Sequence, residues 1–500
     1  MTDTQHRTGV RRFAVAGARG VLGLFGIGVA IVSIAAATWL PLPVLGTGPS
    51  SMVVAPVAST QQRICAGPIL RLGDESGQDA TTAISVGAAT VTSAATTGTP
   101  RLEDMDPTDN ESNTPSQRLI LDPAPTGSTP GILAGSQSQY VDDNEYVGFA
   151  ASECAKASSD TWLVGGSTVT GRTTLLALNN PSKVSSTVSV ELFSESGAVD
   201  VSGMSGIIVP PGGQRILSLA GFAPGMASPV VHVVSTGGQV AASLQQSIIR
   251  TLTPGGVDVF GASTGPATLN VIPGVVVSSP ESIDATGGID GYGDAAPTLR
   301  VFVPGSGTTS LSVSAIAEDE SVEPSTSTLS VDAGVVTDIP LGSFPAGTWT
   351  LTVTSEKPAV VAARTSTVTI AGSPQASIDA GTDPDVTATD FAWFVSALEL
   401  DGTALVSVAE GPNPVLHLAN TGASDAQVTI DASRGADTTV TVPAGRTVAL
   451  PVVGALSYTL GGFTSLRASV SYQGDGRLAG YVVSPPERLS QPVTVYYQFG

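Results

Sequence analysis

Histidine, lysine and cysteine are nearly missing from this 500-residue chain: three histidines, three lysines (Lys156, Lys183, Lys357) and two cysteines (Cys65, Cys154). So few histidines leave little material for a metal centre or a histidine-based catalytic triad. His6 sits in a basic N-terminal stretch, which leaves His232 in "VVHVV" and His417 in "LHLAN". His417 alternates with Leu416 and Leu418 and is expected on the exposed face of a strand, and His232 is expected in a strand with no acid nearby. Two cysteines cannot build a four-thiolate zinc site. Lying beyond the N-terminal apolar run, Cys65 and Cys154 are expected to form one disulfide in an oxidising compartment, two separate buried thiols being the alternative.

Aromatic residues make up 5% of the chain and charged residues 13%, so platforms for stacking on sugar rings are scarce. Trp162, Trp349 and Trp393 are the tryptophans past residue 40, and Trp162 and Trp393 are expected in the core. Forty-two acids against 21 bases give a net charge of -21, which repels phosphate backbones and excludes nucleic acid as a partner.

What the chain has in quantity is glycine (57), proline (35) and short alternating runs of apolar residues. That mixture favours strands and turns over long helices. The exception is the N-terminus, where Arg7, Arg11, Arg12 and Arg19 precede "VLGLFGIGVAIVSIAAATWL" and no charge occurs between Arg19 and Arg63. Residues 1–20 read as a cytoplasmic basic tail and 21–45 as a transmembrane anchor, or as a signal peptide cleaved after "AAA", with the bulk of the chain extracytoplasmic.

Past that segment one phrase recurs. "GIIVPPGGQRILSL" (206–219) and "TVTVPAGRTVALPV" (439–452) are each preceded by two strand-like runs and followed by a long alternating one, with a degenerate middle copy around Gly334. Proline fixes φ and glycine frees it, so the phrase reads as a turn that delivers a strand to the core. "TWLVGG" and "FAWFVS" are read as matching heads of the first and last copies. The reading is all-β, about three tandem antiparallel sandwich units over 46–278, 297–370 and 390–500, with a mobile insertion at 92–117 and linkers at 279–297 and 371–390.

Candidate chemistry is thin. "GASTG" (261–265) matches the nucleophile-elbow pattern, but Pro266 and a strand-like run follow where a helix is required, so Ser263 reads as a turn residue. Acid clusters at Glu103–Glu111, Asp142–Glu145 and Asp383–Asp390 read as solvated loops. No catalytic, cofactor-binding or metal site is assigned, and the pair Cys65 and Cys154 is the one site expected.

"QQRICAGPIL", the later Cys154, "TWLVGG" and "LLALNNP" together resemble an uncharacterised actinobacterial family of membrane-anchored extracytoplasmic β proteins, a domain of unknown function, with Ala66 standing where that pattern leads one to expect proline. The resemblance implies no catalytic residues and a link to cell-envelope glycans. The expectation is a non-catalytic envelope structural or interaction protein contacting the membrane through its N-terminal helix and other envelope proteins or polysaccharide. A cell-wall polysaccharide-binding module comes second, and an envelope hydrolase or transferase third.

Overall fold

The computed structural model describes residues 27–33, 51–54, 60–73, 83–123, 131–342, 344–487 and 493–496. The chain divides into two compact units, one of residues 1–57 with 490–500 and one of residues 58–489. In the smaller unit, residues 27–33 are helical and Ser51–Val54 pairs antiparallel with Val493–Tyr496. The basic tail and most of the expected membrane span over 21–45 lie outside the described residues. Among the described residues no helix is long and apolar enough to cross a membrane.

The larger unit is all-β, built of antiparallel sheets. Three times the chain runs through seven strands in the same order. The first set is Asp160–Val164, Arg172–Asn179, Ser186–Ser194, Ile207–Val209, Gln214–Ser218, the pair Val230–Gly237 and Ala241–Arg250, and Thr253–Phe260, with the short extra strand Gly197–Val199 paired to the third. The second runs Ala267–Val277, Thr298–Phe302, Thr308–Ala317, Ser325–Asp332, Val336–Pro340, Gly347–Ile370 and Val386–Val395. The third runs Leu400–Ser407, Val415–Ala419, Ala426–Ala432, Thr438–Val442, Thr447–Pro451, Ser457–Gly474 and Arg477–Val482.

In each set the first, third and fourth strands share a sheet with the front half of the sixth, and the second, fifth and seventh share another with its back half. The sixth strand therefore passes from one sheet into the other. It runs unbroken for 24 and 18 residues in the second and third sets and is interrupted between Gly237 and Ala241 in the first. Alternation supplies the core: Leu351 and Val353 face inward from the front half of Gly347–Ile370, and Val361 and Ala363 from the back half, all into one apolar cluster. Each set has such a cluster, fed by both of its sheets.

The recurring phrase is the turn between the fourth and fifth strands. Gly212, Gly334 and Gly445 occupy it with φ of 68°, 92° and 69°, the left-handed region that a side chain disfavours. The hairpin expected from "LRASVSYQGDGRLAGYVVS" is present, turning at Asp475 and Gly476 with φ of 53° and 71°.

Several expectations are corrected. "TWLV" opens the first set, but "FAWFV" belongs to Val386–Val395, the last strand of the second set, bonded to Gly347–Ile370. Short apolar strands look alike whatever their place in a repeat, so Trp162 and Trp393 are not counterparts. Residues 92–117, expected as a mobile insertion, run through the paired strands Thr90–Ala95, Arg101–Asp104 and Gln117–Leu121 and bury Met105, Asn110 and Ser116. Residues 279–297, expected as a linker, contain the helix Pro280–Thr286 with Ile283 and Thr286 buried. The disulfide Cys65–Cys154 is formed, closing 89 residues of chain.

Candidate functional site

Four strands pack against one another in a closed ring: Val147–Glu153 on Thr253–Phe260, this on Val386–Val395, that on Arg477–Val482, and the last back on the first. Three are the seventh strands of the sets, and the fourth is the second arm of the hairpin with Leu133–Asp142. At the centre sits Asp390, fully buried, accepting one backbone N–H from each ring strand. Its Oδ2 takes Phe149 N at 3.0 Å and Leu478 N at 3.2 Å. Its Oδ1 takes Val257 N at 3.3 Å and Phe391 N at 3.0 Å.

The approach is too close for side chains at two positions. A Cβ on Gly256, whose φ is +118°, would lie 2.7 Å from Asp390 Oδ1, and one on Gly148 would lie 2.8 Å from Val257 N. Burial pushes the Asp390 carboxyl up to about 8, against the pull of its N–H donors. Asp258 repeats the arrangement on the neighbouring strand, taking Trp393 N at 2.7 Å and Val259 N at 2.8 Å, and burial with the nearby Asp390 charge pushes it up as well.

A second buried charge cluster joins the first two sets. Arg172, Arg250 and Arg364 converge on Asp294, and Arg300 holds Asp338 through Nε at 2.8 Å and Nη2 at 2.9 Å. Arg300 also lies over the Trp393 ring, 4.7 Å from its centroid. Burial acts to raise Asp294, but Arg364, Arg250 and Arg172 together hold it far below the ordinary carboxylate range.

The last residues of the four ring strands, Glu153, Phe260, Val395 and Val482, all line one cavity of about 390 Å³. The ring strands therefore end together, and the cavity lies where they end. Trp162, Trp393 and Tyr481 add aromatic wall, and Lys156, Asp160 and Ser484 add polar groups. Glu153 accepts Ser484 N at 3.0 Å and Ser484 Oγ at 2.5 Å.

Trp162 and Trp393 are both buried, as expected of core residues. Trp162 stacks on His232 with centroids 4.0 Å apart, and Trp393 carries Arg300, so both rings are already engaged. Among the described residues Tyr140 is the aromatic side chain counted as exposed, which makes no strip for a sugar chain.

The histidines depart from expectation. His232 does have acids beside it, Glu191 at 2.8 Å and Asp160 at 3.3 Å, both reached across neighbouring strands. His417 is buried, its Nδ1 2.7 Å from Glu318 Oε1 and its Nε2 2.7 Å from Ser471 Oγ. This has the order of a serine–histidine–acid triad, but Ser471 is 4% exposed and Gly274 packs so closely that a Cβ there would sit 2.5 Å from His417 Cδ2. A nucleophile sealed in this way reaches no substrate, and the three residues act as a hydrogen-bonded bridge between the second and third sets. Ser263 is a buried turn residue donating to Val361 O at 2.8 Å, with the strand Ala267–Val277 following it.

Acids in two of the clusters pair with arginines. Glu103 pairs with Arg101 and Arg118, Asp109 with Arg215 and Glu145 with Arg71. Among the described residues no group of three or more histidines, cysteines or acids is placed to hold a metal ion. Asp390, read from sequence as part of an acidic linker, is the exception, and its signal was available: a lone acid where the apolar run "FAWFV" begins, as Asp258 is in "VDVF".

The family model for a family of unknown function (DUF5719) matches residues 108–453. The chain belongs to the DUF5719 family. The family span holds the first three ring strands, the central Asp390 and the repeated turn at Gly212, Gly334 and Gly445, and ends before Ser457–Gly474. No curated protein matches the sequence.

Proposed function

We propose that this is a non-catalytic interaction protein of the cell envelope, tethered by its N-terminal segment, with three tandem β-sandwich units clamped around the ring strands and the axial cavity as its binding end. The observation that carries this reading is the convergence of four strand ends on one cavity. A ring fixed by a buried acceptor gives a preorganised site, and preorganisation lowers the ordering cost of binding. The disulfide supports an oxidising compartment and the uncharged stretch from 20 to 62 supports the tether.

Crosslinking in intact cells followed by pull-down tests the reading, with Ala262→Trp as comparison. Ala262 is exposed and lines the cavity, so a tryptophan there blocks the mouth without entering the core. The expected result is a crosslinked partner with the unaltered protein and its loss in the variant. The same partner recovered from both, or none from either, would count against it. A reporter enzyme active only outside the cytoplasm, fused to the C-terminus, should be active.

A further inference from the structure

The cavity contains an acid without a counter-ion. Glu153 ends its ring strand, is half-buried, and is among the residues that line the cavity. Among the described residues its carboxylate makes no ion pair; Arg63, the cation that influences it, is committed to Glu487 at 3.2 Å. Burial pushes the Glu153 carboxyl up, opposed by its hydrogen bonds to Ser484 and by Arg63. A desolvated carboxylate of this kind gains most from a partner of opposite charge.

The surroundings suit such a partner. Phe260 and Tyr481 line the same cavity and offer π-systems to a cation, whereas the Trp393 ring already carries Arg300. Asp160, exposed and paired with His232, and the exposed base Lys156 sit on the same lining. The net charge of -21 draws cations toward the molecule before contact. The volume of about 390 Å³ admits a small organic body and sits at the low end of ligand pockets.

We propose that the axial cavity takes a compact organic cation, an ammonium or guanidinium on an apolar body, whose charge pairs with Glu153 while its body packs on the aromatic wall. This rests on the reading of the cavity as a binding end. The cation comes either as a free amine or as a lysine or arginine side chain presented by a partner protein.

The test is calorimetric titration, with tryptophan fluorescence as a second readout, of phenethylammonium, its neutral isostere 2-phenylethanol, and the capped peptide acetyl-Ala-Lys-Ala-amide. A cationic probe is expected to bind at least tenfold more tightly than the neutral one. Glu153→Gln, which keeps the size and an acceptor for Ser484, should abolish that preference, and Ala262→Trp, which leaves Glu153 in place, should weaken every probe. Binding of the amine but not the peptide assigns a free amine, and the reverse assigns a partner side chain. Equal affinity for the neutral probe, or a preference that survives Glu153→Gln in a folded variant, overturns the proposal while leaving the cavity a binding end. If no probe binds but Ala262→Trp still loses its crosslinked partner, the cation assignment fails alone. If neither responds, both readings fail.

Discussion

Replacing Asp390 tests the ring directly, and pH decides how. The folded carboxyl is pushed up to about 8, while an unfolded aspartate titrates near ~3.9. Between those values the native chain holds a proton that the unfolded chain has released, so stability is full below about pH 4 and falls as pH rises through about 8. The slope is about 1.4 kcal/mol per pH unit across that window, for a total on the order of 5 kcal/mol at most. Asparagine keeps one carbonyl oxygen, enough for two of the four N–H groups, but its amide nitrogen cannot accept the other two, so Asp390→Asn should cost about 2–6 kcal/mol at pH 5, a gap that narrows as pH rises toward 9. Asp390→Ala removes the acceptor of four N–H groups, and at about 1–3 kcal/mol for each buried donor left unpaired it should destabilise by at least about 4 kcal/mol. Urea denaturation at pH 5, 7 and 9 reads all three proteins, and the comparison includes the relief of Asp258, whose carboxyl the Asp390 charge helps to push up. A stability gap between the unaltered protein and Asp390→Asn that widens in favour of aspartate as pH rises would refute the reasoning, because it would mean that the N–H donors hold the carboxylate ionised.

At the acid end the sign reverses: Asp294, held low by its arginines, contributes stability above about pH 4 that is lost as pH falls further, and Asp294→Asn should cost about 3–5 kcal/mol at pH 7 by leaving buried guanidinium groups without their partner, measurable by the same denaturation. Breaking the Cys65–Cys154 bond opens an 89-residue loop worth about 4–5 kcal/mol at most on a chain-entropy estimate, so reductant should lower the melting temperature in calorimetry, and non-reducing peptide mapping should find no free thiol. Ser471 should resist a fluorophosphonate probe in the native protein; labelling lost in a Ser471→Ala variant would reopen the triad as an active centre.

The repeat, the turns and the disulfide were legible because each depends on local chemistry. Pro210 and Gly212, or Pro443 and Gly445, specify a turn without knowledge of anything distant, and alternation such as Leu466, Ala468, Val470 names a buried face. The ring was not legible. Asp390 meets Phe149 from 241 positions away and Leu478 from 88, and no periodicity records that such strands share an axis. The histidines failed for a related reason: alternation placed His417 opposite its leucine neighbours correctly, but the outer face of one set is covered by the next, so the face expected in water is an interface holding Glu318. Likewise "SPESIDATGGIDGYGDAAP" has a linker's composition, and only the arrival of Arg172, Arg250 and Arg364 makes Asp294 a buried anchor.

The limits of the family match lead to a last prediction. Residues 108–453 contain Asp390 and three of its four ring strands but exclude Ser457–Gly474 and Arg477–Val482. Ser457–Gly474 is the one strand that both sheets of the third set share, so without it Leu400–Ser407 and Val415–Ala419 lose their partners there. The ring loses the Leu478 N–H, and Cys154 loses Cys65. A chain trimmed to 108–453 should therefore show strand signal from the first two sets but no single cooperative unfolding transition, and should be cut by protease between about 400 and 453. Extending it to 58–489 should restore one transition. If the trimmed chain instead unfolds cooperatively at the temperature of the longer one, the closed ring is not what holds the sets together, and the argument from Asp390 falls with it.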